Sequence, residues 1–244
     1  MRLLSLAVFL ATWWIAALLV DSDKLPAPPA VLAALTAEAK SGALFLNLGA
    51  TLARVVLAFA LAMTLGVAIG YWMGRVRVVN RVGDPWLILL LNLPALVVIV
   101  LAYMWAGLTE AAAIAAIAIN KLPTAVVTVR EGTRALDPAL DEMANIFAFP
   151  RAKAFRHVVL PQLAPYIAAA GRSGLALIWK IVLVAELLGR PNGVGFEIGV
   201  AFQLFDIPLL LAYSLSFAAV VLIIETALVQ PFEATTSRWR PRAA

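Results

Sequence analysis

Six apolar runs, each about long enough to cross a bilayer, constrain this chain more than any other feature. They cover residues 3–20, 49–73, 86–107, 110–129, 166–188 and 207–229. About 20 apolar residues are what an α-helix needs to cross the hydrocarbon layer. Helices and closed barrels are the only spanning structures that satisfy their own backbone in lipid, and runs of this length specify helices. Composition agrees. Of the 244 residues, 64% are hydrophobic and only 14% charged, against about 25% charged in soluble domains. So few charges cannot cover a water-facing surface. The expectation is an all-α polytopic membrane protein with about six transmembrane helices, forming one domain over residues 1–244. The run 3–20 follows Arg2 and has a second reading as a signal peptide. Its length, and the lack of a small-x-small site directly after it, favour a retained helix.

The net charge is +5, and its placement points to membrane orientation, not to nucleic acid. With the N-terminus inside, the inner segments hold Arg2, Arg75, Arg77, Arg81, Arg130, Arg134, Arg151, Lys153, Arg156, Arg238, Arg240 and Arg242. The outer segments hold only Lys24, Lys40 and Arg190. Twelve against three predicts both termini on the cytoplasmic side. An odd number of spans would spoil that pattern. Several chemistries are excluded or unsupported. The chain has no cysteine and a single histidine, His157, so thiolate sites and histidine clusters are ruled out. It has no G-x-x-x-x-G-K-[ST] loop for ATP, and neither a metal-ligand spacing nor a catalytic carboxylate pair stands out.

The outer segment 21–48 opens on the rigid Leu25-Pro26-Ala27-Pro28-Pro29. Val31 to Ala39 then has helical spacing suited to the membrane surface. In the second run Gly66, Gly70 and Gly74 repeat every four residues, a face that permits close helix packing. Packing within one subunit is the favoured use of that face, over a dimer contact.

The longest inner segment, 130–165, is more structured than a connector requires. Asp137-Pro138 reads as a helix start, with Asp as N-cap and Pro at N1. Leu140, Met143, Ala144 and Phe147 then share one face. Phe149-Pro150 interrupts, because a residue before proline avoids the helical region. A second short helix follows, with Phe155, Val158 and Val159 on its apolar side and Lys153, Arg156 and His157 mostly on the polar side. Pro161 is expected to close it. Two uses fit such a helix pair: docking of another protein, or contact with lipid headgroups through Arg151, Lys153 and Arg156.

The spacing within this segment resembles a known pattern. Glu142-Met143-Ala144, then three residues, Ala148, nine residues and Val158-Val159-Leu160-Pro161 is similar to the EAA loop of ABC importer permeases, E-A-A, three residues, G, nine residues, I-x-L-P. Met143 and Val158 are mild changes. Ala148 replaces a glycine that would permit a left-handed turn, a conformation that costs alanine on the order of 1 kcal/mol. The bend is therefore expected to shift towards Phe149-Pro150. Further resemblance to the nitrate/sulfonate/taurine branch runs along the chain in Leu25-Pro26-Ala27-Pro28, Ser41-Gly42, Thr51 with Arg54-Val55, Asp84-Pro85, Leu93-Pro94-Ala95, Gly171-Arg172, Trp179, Ala185-Glu186 and Gly193-Val194-Gly195. Trp105-Ala106-Gly107 is a weaker match to the usual tryptophan-phenylalanine-glycine stretch.

This resemblance implies a type I importer fold and a non-catalytic membrane subunit, with both ATP and magnesium held by partner ATPase subunits. It implies that the loop inserts into an ATPase groove and that Glu142 offers a charge to a basic or amide partner. It also implies an extracytoplasmic solute-binding protein, a permease homodimer in the inner membrane, and a small anion such as nitrate, a sulfonate, taurine or bicarbonate as cargo. Importers of thiamine-precursor pyrimidines look similar.

Charges inside a membrane are costly, so they face protein or a water path. Arg54, Lys121, Arg172 and Lys180 lie in or near spans. Their candidate acidic counterparts are Glu186 and Glu225, with Glu110 and Asp206 near the outer ends. Arg172, Trp179 and Glu186 recur every seven residues on one stripe. Lys180, nearest mid-span, needs a partner from around Asn120-Lys121 or from a second subunit. Two readings stand for Lys180, Lys121, Arg54, Arg172 and Glu186: they line an anion path, or they pair between helices and snorkel. Pro94 and Pro123 lie within spans, and for both a packing role is favoured over a path-shaping one. A rival class is an ion-coupled secondary transporter working through Lys121, Lys180 and Glu186. The lack of an inverted repeat counts against it.

Overall fold

The fold is seen in a computed structural model that describes residues 2–20, 22 and 24–229. Arg238, Arg240 and Arg242, and the side chain of Arg2, lie outside the described residues. The chain is helical, with no strand among those residues. Its helices are α1 (Arg2–Val20), α2 (Pro28–Ser41), α3 (Ala43–Arg75), α4 (Arg77–Asn92), α5 (Ala95–Ala106), α6 (Glu110–Arg134), α7 (Pro138–Ile146), α8 (Arg151–Ala154), α9 (Leu160–Gly189), α10 (Val194–Leu204) and α11 (Ile207–Ile224).

Among the described residues, four helical stretches are long and apolar enough to span: Ala43–Arg75, Glu110–Arg134, Arg151–Gly189 and Ile207–Ala227. The expected six spans are not reproduced by length. The run 86–107 is broken: α4 and α5 meet at a bend of 101° and make a fifth span only if counted together. The break has a local cause. Leu93 precedes Pro94 and takes extended angles, φ −72° and ψ 128°, as steric conflict with the proline ring requires. Pro123, by contrast, is carried inside the continuous α6. The first run is apolar but shorter than a span over Ala7–Val20, where its side chains are described. The segment between the apolar runs 166–188 and 207–229 folds into the short apolar helix α10.

The chain divides into two compact units. The first takes the described residues of Met1–Ala53 and of Leu183–Leu222. Here α2 begins with Pro28 and Pro29 at its first positions and ends on Gly42 in the left-handed region, φ 83°. That is the usual way for a helix to stop. Trp13 Nε1 donates to the Pro26 carbonyl at 3.1 Å and ties α1 to the proline-rich segment.

The second unit takes Arg54–Val182 and the described residues of Ile223–Ala244. Its packing rests on small residues. A Cβ on Gly66 would lie 2.6 Å from Ala125 Cβ, and one on Gly70 would lie 2.7 Å from the Val126 carbonyl. A Cβ on Gly74 would strike Thr133. The glycine face of α3 is therefore pressed against α6 of the same chain. Gly132 on α6 makes the same allowance for Tyr166 on α9. Because lipid supplies no hydrophobic drive between helices, close backbone approach is what holds them together.

Candidate functional site

The loop between α6 and α9 is built by local rules at each step. Asp137 caps α7, its Oδ1 accepting from the Ala139 N–H at 2.9 Å, and Pro138 follows at N1. At the other end the Phe149 N–H donates to the Ala144 carbonyl at 2.9 Å, and the Ala148 N–H to the Asn145 carbonyl at 3.0 Å. These two bonds make a Schellman stop, which needs a left-handed residue between helix and exit. Ala148 is that residue, with φ 48°. The expectation that the bend moves to Phe149-Pro150 is overturned. Two backbone hydrogen bonds hold the turn in place although the side chain at its centre disfavours it.

Pro150 then starts α8, as expected. The expectation that Pro161 closes the second short helix fails. Helix runs on without interruption from Arg151 to Gly189. Proline cannot donate to the carbonyl four residues back and its ring crowds that group. The chain accommodates this with a wide turn over Phe155–Val159, in which the Leu160 N–H reaches the Phe155 carbonyl. One extra residue in the turn relieves the clash without ending the helix.

The loop is anchored on one side and open on the other. Arg75 at the end of α3 bonds Asp141 on α7 at 2.7 Å. Tyr71, one turn earlier, meets Phe155 edge-on with centroids 5.6 Å apart. Leu136, Val159 and Leu163 form a buried cluster beneath, and the Asp137 N–H donates to Gln162 Oε1 at 2.9 Å. Ala144, Val158 and Val159 are buried, so these members of the motif hold the loop together. Met143 is half-buried, and Glu142, Ala148, Leu160 and Pro161 are exposed. Ile146 and Phe147 are 80% and 68% exposed. Phe147 therefore does not share a buried face with Ala144; the Schellman stop turns it outward. Sequence reading missed Ile146, the Arg75–Asp141 anchor and Tyr71. Periodicity alone does not tell an apolar residue at a helix end from one in its interior.

The intramembrane charges separate into distinct environments. Arg54, 3% exposed, makes a two-pronged bond to Glu110, Nε to Oε2 at 2.9 Å and Nη2 to Oε1 at 2.6 Å. Glu110 opens α6 just after the cap Thr109, where a helix dipole favours a negative charge. Lys121 is 1% exposed. Its Nζ donates to Thr124 Oγ1 at 2.8 Å, and its stem fills the space that a side chain at 174 would need. Arg172 is exposed. Lys180 is exposed on α9, with no hydrogen bond or ion pair among the described residues. Asn120, one candidate partner, is bonded instead to the Ala116 carbonyl.

In the first unit Glu186 is fully buried. Its Oε2 accepts from Thr51 Oγ1 at 2.9 Å and from the Gly195 N–H at 2.8 Å. Thr51 Oγ1 in turn accepts from the Val194 N–H at 2.9 Å. Asn47 accepts from the Gly193 N–H at 2.8 Å and donates to Glu197 at 2.9 Å. The Tyr213 hydroxyl donates to Glu38 at 2.6 Å. The loop Gly193-Val194-Gly195 is thus stitched to α3 through the Gly193 and Val194 N–H groups and to Glu186 at the end of α9 through the Gly195 N–H. Gly193 takes φ 109°, and a Cβ on Gly195 would strike the backbone of Leu183. Burial pushes the Glu197 carboxyl above the ordinary carboxylate range; the Asn47 bond opposes this and the nearby Glu38 charge adds to it. The sequence marked Thr51, Glu186 and the glycines, but not Asn47, Glu38, Glu197 or Tyr213, whose partners lie up to 175 residues away.

Known proteins resemble this chain along its length. The profile of one family, described as binding-protein-dependent transport system inner membrane component, matches residues 62–230. A probable ABC transporter permease protein of Brucella abortus is 28% identical over 243 residues, covering 100% of this chain and 96% of that protein. The taurine transport system permease protein TauC of Escherichia coli is 28% identical over 231 residues, covering 92% and 84%. Among solved structures, an amino acid ABC transporter superposes with a TM-score of 0.63 at 20% identity, over 82% of this chain and 97% of that one; this likeness concerns the fold. A multi-pass helical chain with these motifs in order, matched by the profile over most of its length, belongs to the family of binding-protein-dependent transport system inner membrane components, the ABC transporter permeases.

Proposed function

We propose that this chain is the membrane subunit of an ATP-driven importer for a small anion, working as a homodimer, with one permease domain per chain and both termini in the cytoplasm. Two ATPase subunits, which carry the ATP and magnesium, receive the loop 138–161. An extracytoplasmic binding protein delivers the cargo. One observation carries the reading: a loop fixed to two long helices beneath, with Glu142, Ile146 and Phe147 open above. A rigid, anchored element with an apolar and acidic tip passes displacement of a partner to the helices it stands on. Ala144, Val158 and Val159 keep the element stiff, and Glu142 meets a basic or amide group of the ATPase.

A sulfonate is the favoured cargo, because a taurine permease aligns over nearly the whole chain; nitrate and bicarbonate are the other members of the class. Lys180 supports an anion path. It is a cation on a spanning helix, open to a second copy of the chain and unpaired among the described residues. The buried Lys121, and Arg54 with its partner Glu110, support the helices of the same unit. Reconstitution with the ATPase and binding protein tests the whole. Glu142→Lys should leave ATP hydrolysis but abolish taurine-stimulated transport, and normal stimulated transport would reject the role. Lys180→Leu should abolish anion uptake, and unchanged uptake would reject that assignment.

A further inference from the structure

The ends of α3 and α6 and the start of α4 enclose a polar cavity of about 600 Å³ that the transport reading does not use. Arg77, Arg81 and Arg134 line it, together with Asn80 and Asp84. Its charge is strongly unbalanced. Arg130 binds Asp84 and Asn80, and also reaches Glu131 at 3.0 Å. Glu131 further holds Arg134 at 3.1 Å. Both nearby carboxylates are therefore engaged. Arg77 and Arg81 remain exposed, with no hydrogen bond or ion pair among the described residues.

The same stretch of α4 has a second face. Val78, Val82 and Trp86, four residues apart, are 68%, 64% and 65% exposed. Arg77 and Arg81 sit on the opposite side of this helix from Trp86. Exposed aliphatic and tryptophan residues on one face and arginines on the other are the pattern of a helix segment suited to the level of lipid headgroups. We propose that this cavity binds the phosphodiester headgroup of an anionic phospholipid, held by Arg77, Arg81 and Arg134, with its acyl chains leaving past Val78 and Val82, the part of the apolar stripe next to the arginine side. The cavity's arginines would suit any phosphate oxyanion. The adjoining apolar stripe favours one attached to acyl chains.

The purified full chain in mild detergent tests this by native mass spectrometry, with phosphatidylglycerol, phosphatidylcholine and inorganic phosphate as probes. Phosphatidylglycerol should bind more tightly than phosphatidylcholine. A basic residue near a membrane surface is worth about 1 kcal/mol, or roughly fivefold. Arg77→Gln and Arg81→Gln should therefore each weaken phosphatidylglycerol binding about fivefold, and together about thirtyfold, without changing phosphatidylcholine binding. Arg156→Gln, which removes an exposed cation on the loop, should have no effect. Equal affinity for the two lipids would overturn the proposal. So would full binding by the single variants or the double variant, or an equal loss with Arg156→Gln. Displacement of phosphatidylglycerol by inorganic phosphate at comparable concentration would assign the cavity to a free oxyanion instead.

Discussion

The loop between α6 and α9 and the buried network around Glu186 are built from similar materials and finished in opposite ways. Each has a glutamate inside a family motif, and each has a turn with a left-handed residue. In the network every polar group described finds a partner: Glu186 accepts from Thr51 and Gly195, and Asn47 bridges Gly193 and Glu197. In the loop the bonds lie underneath, at Asp141, Asp137 and Gln162, while Glu142 and Phe147 face outward. A motif glutamate thus means architecture where its hydrogen bonds are satisfied within the chain. Where they are not, as at Glu142, the carboxylate stays open to a molecule outside the chain.

The sharpest way to break this contrast is to exchange the treatment of the two glutamates. Glu186→Leu strands the Gly195 N–H, which costs about 1–3 kcal/mol when buried without a partner, and leaves the Thr51 hydroxyl only the Asn47 carbonyl at 3.1 Å to donate to. Thermal melting in detergent should fall steeply. Glu142→Lys should move that melting by less than about 0.5 kcal/mol, as exposed substitutions do, while removing coupling. Equal destabilisation by both variants would end the distinction. Gly70→Leu comes next. With a carbonyl 2.7 Å from any Cβ, overpacking should cost about 1–3 kcal/mol, read as loss of monodisperse protein on size exclusion.

A smaller change sharpens the loop side. Ala148→Gly removes the left-handed penalty and should stabilise the turn by up to about 1 kcal/mol. Slower hydrogen exchange at the Phe149 N–H is the readout; no change would mean that the strain is absorbed elsewhere. The smallest effect belongs to Glu197. Its carboxyl titrates above the ordinary range in the fold, so the folded protein binds more protons than the unfolded one between the two values. Stability should therefore decline as pH rises through that window. Glu197→Gln, which keeps an acceptor for Asn47, should flatten the decline in melting temperature as pH rises above the ordinary carboxylate range. An unchanged slope would assign the pH dependence to another group.

Much of the loop was legible because its signals are local. Asp137-Pro138 starts a helix through its own side chain, and Pro150 separates two helices through its own ring. The fate of Ala148 was not legible. Its conformation is set by carbonyls at Ala144 and Asn145 that the helix must satisfy, a demand that outweighs the preference of one residue. Pro161 misled for a related reason: a wide turn upstream removed the clash that makes proline a terminator.

The sequence by itself determined that the chain is helical, that it crosses a membrane several times and that 142–161 has a residue spacing similar to the EAA loop of ABC importer permeases. These follow from run length, charge count and spacing, all short-range properties. Only the tertiary structure decided that Arg54 is paired with Glu110, that Glu186 is a structural knot, that Lys180 is open, and that the run 86–107 is bent at Pro94. Burial and long-range partners fix what a charge does in a membrane. A linear sequence does not state which helix face meets another helix and which meets lipid.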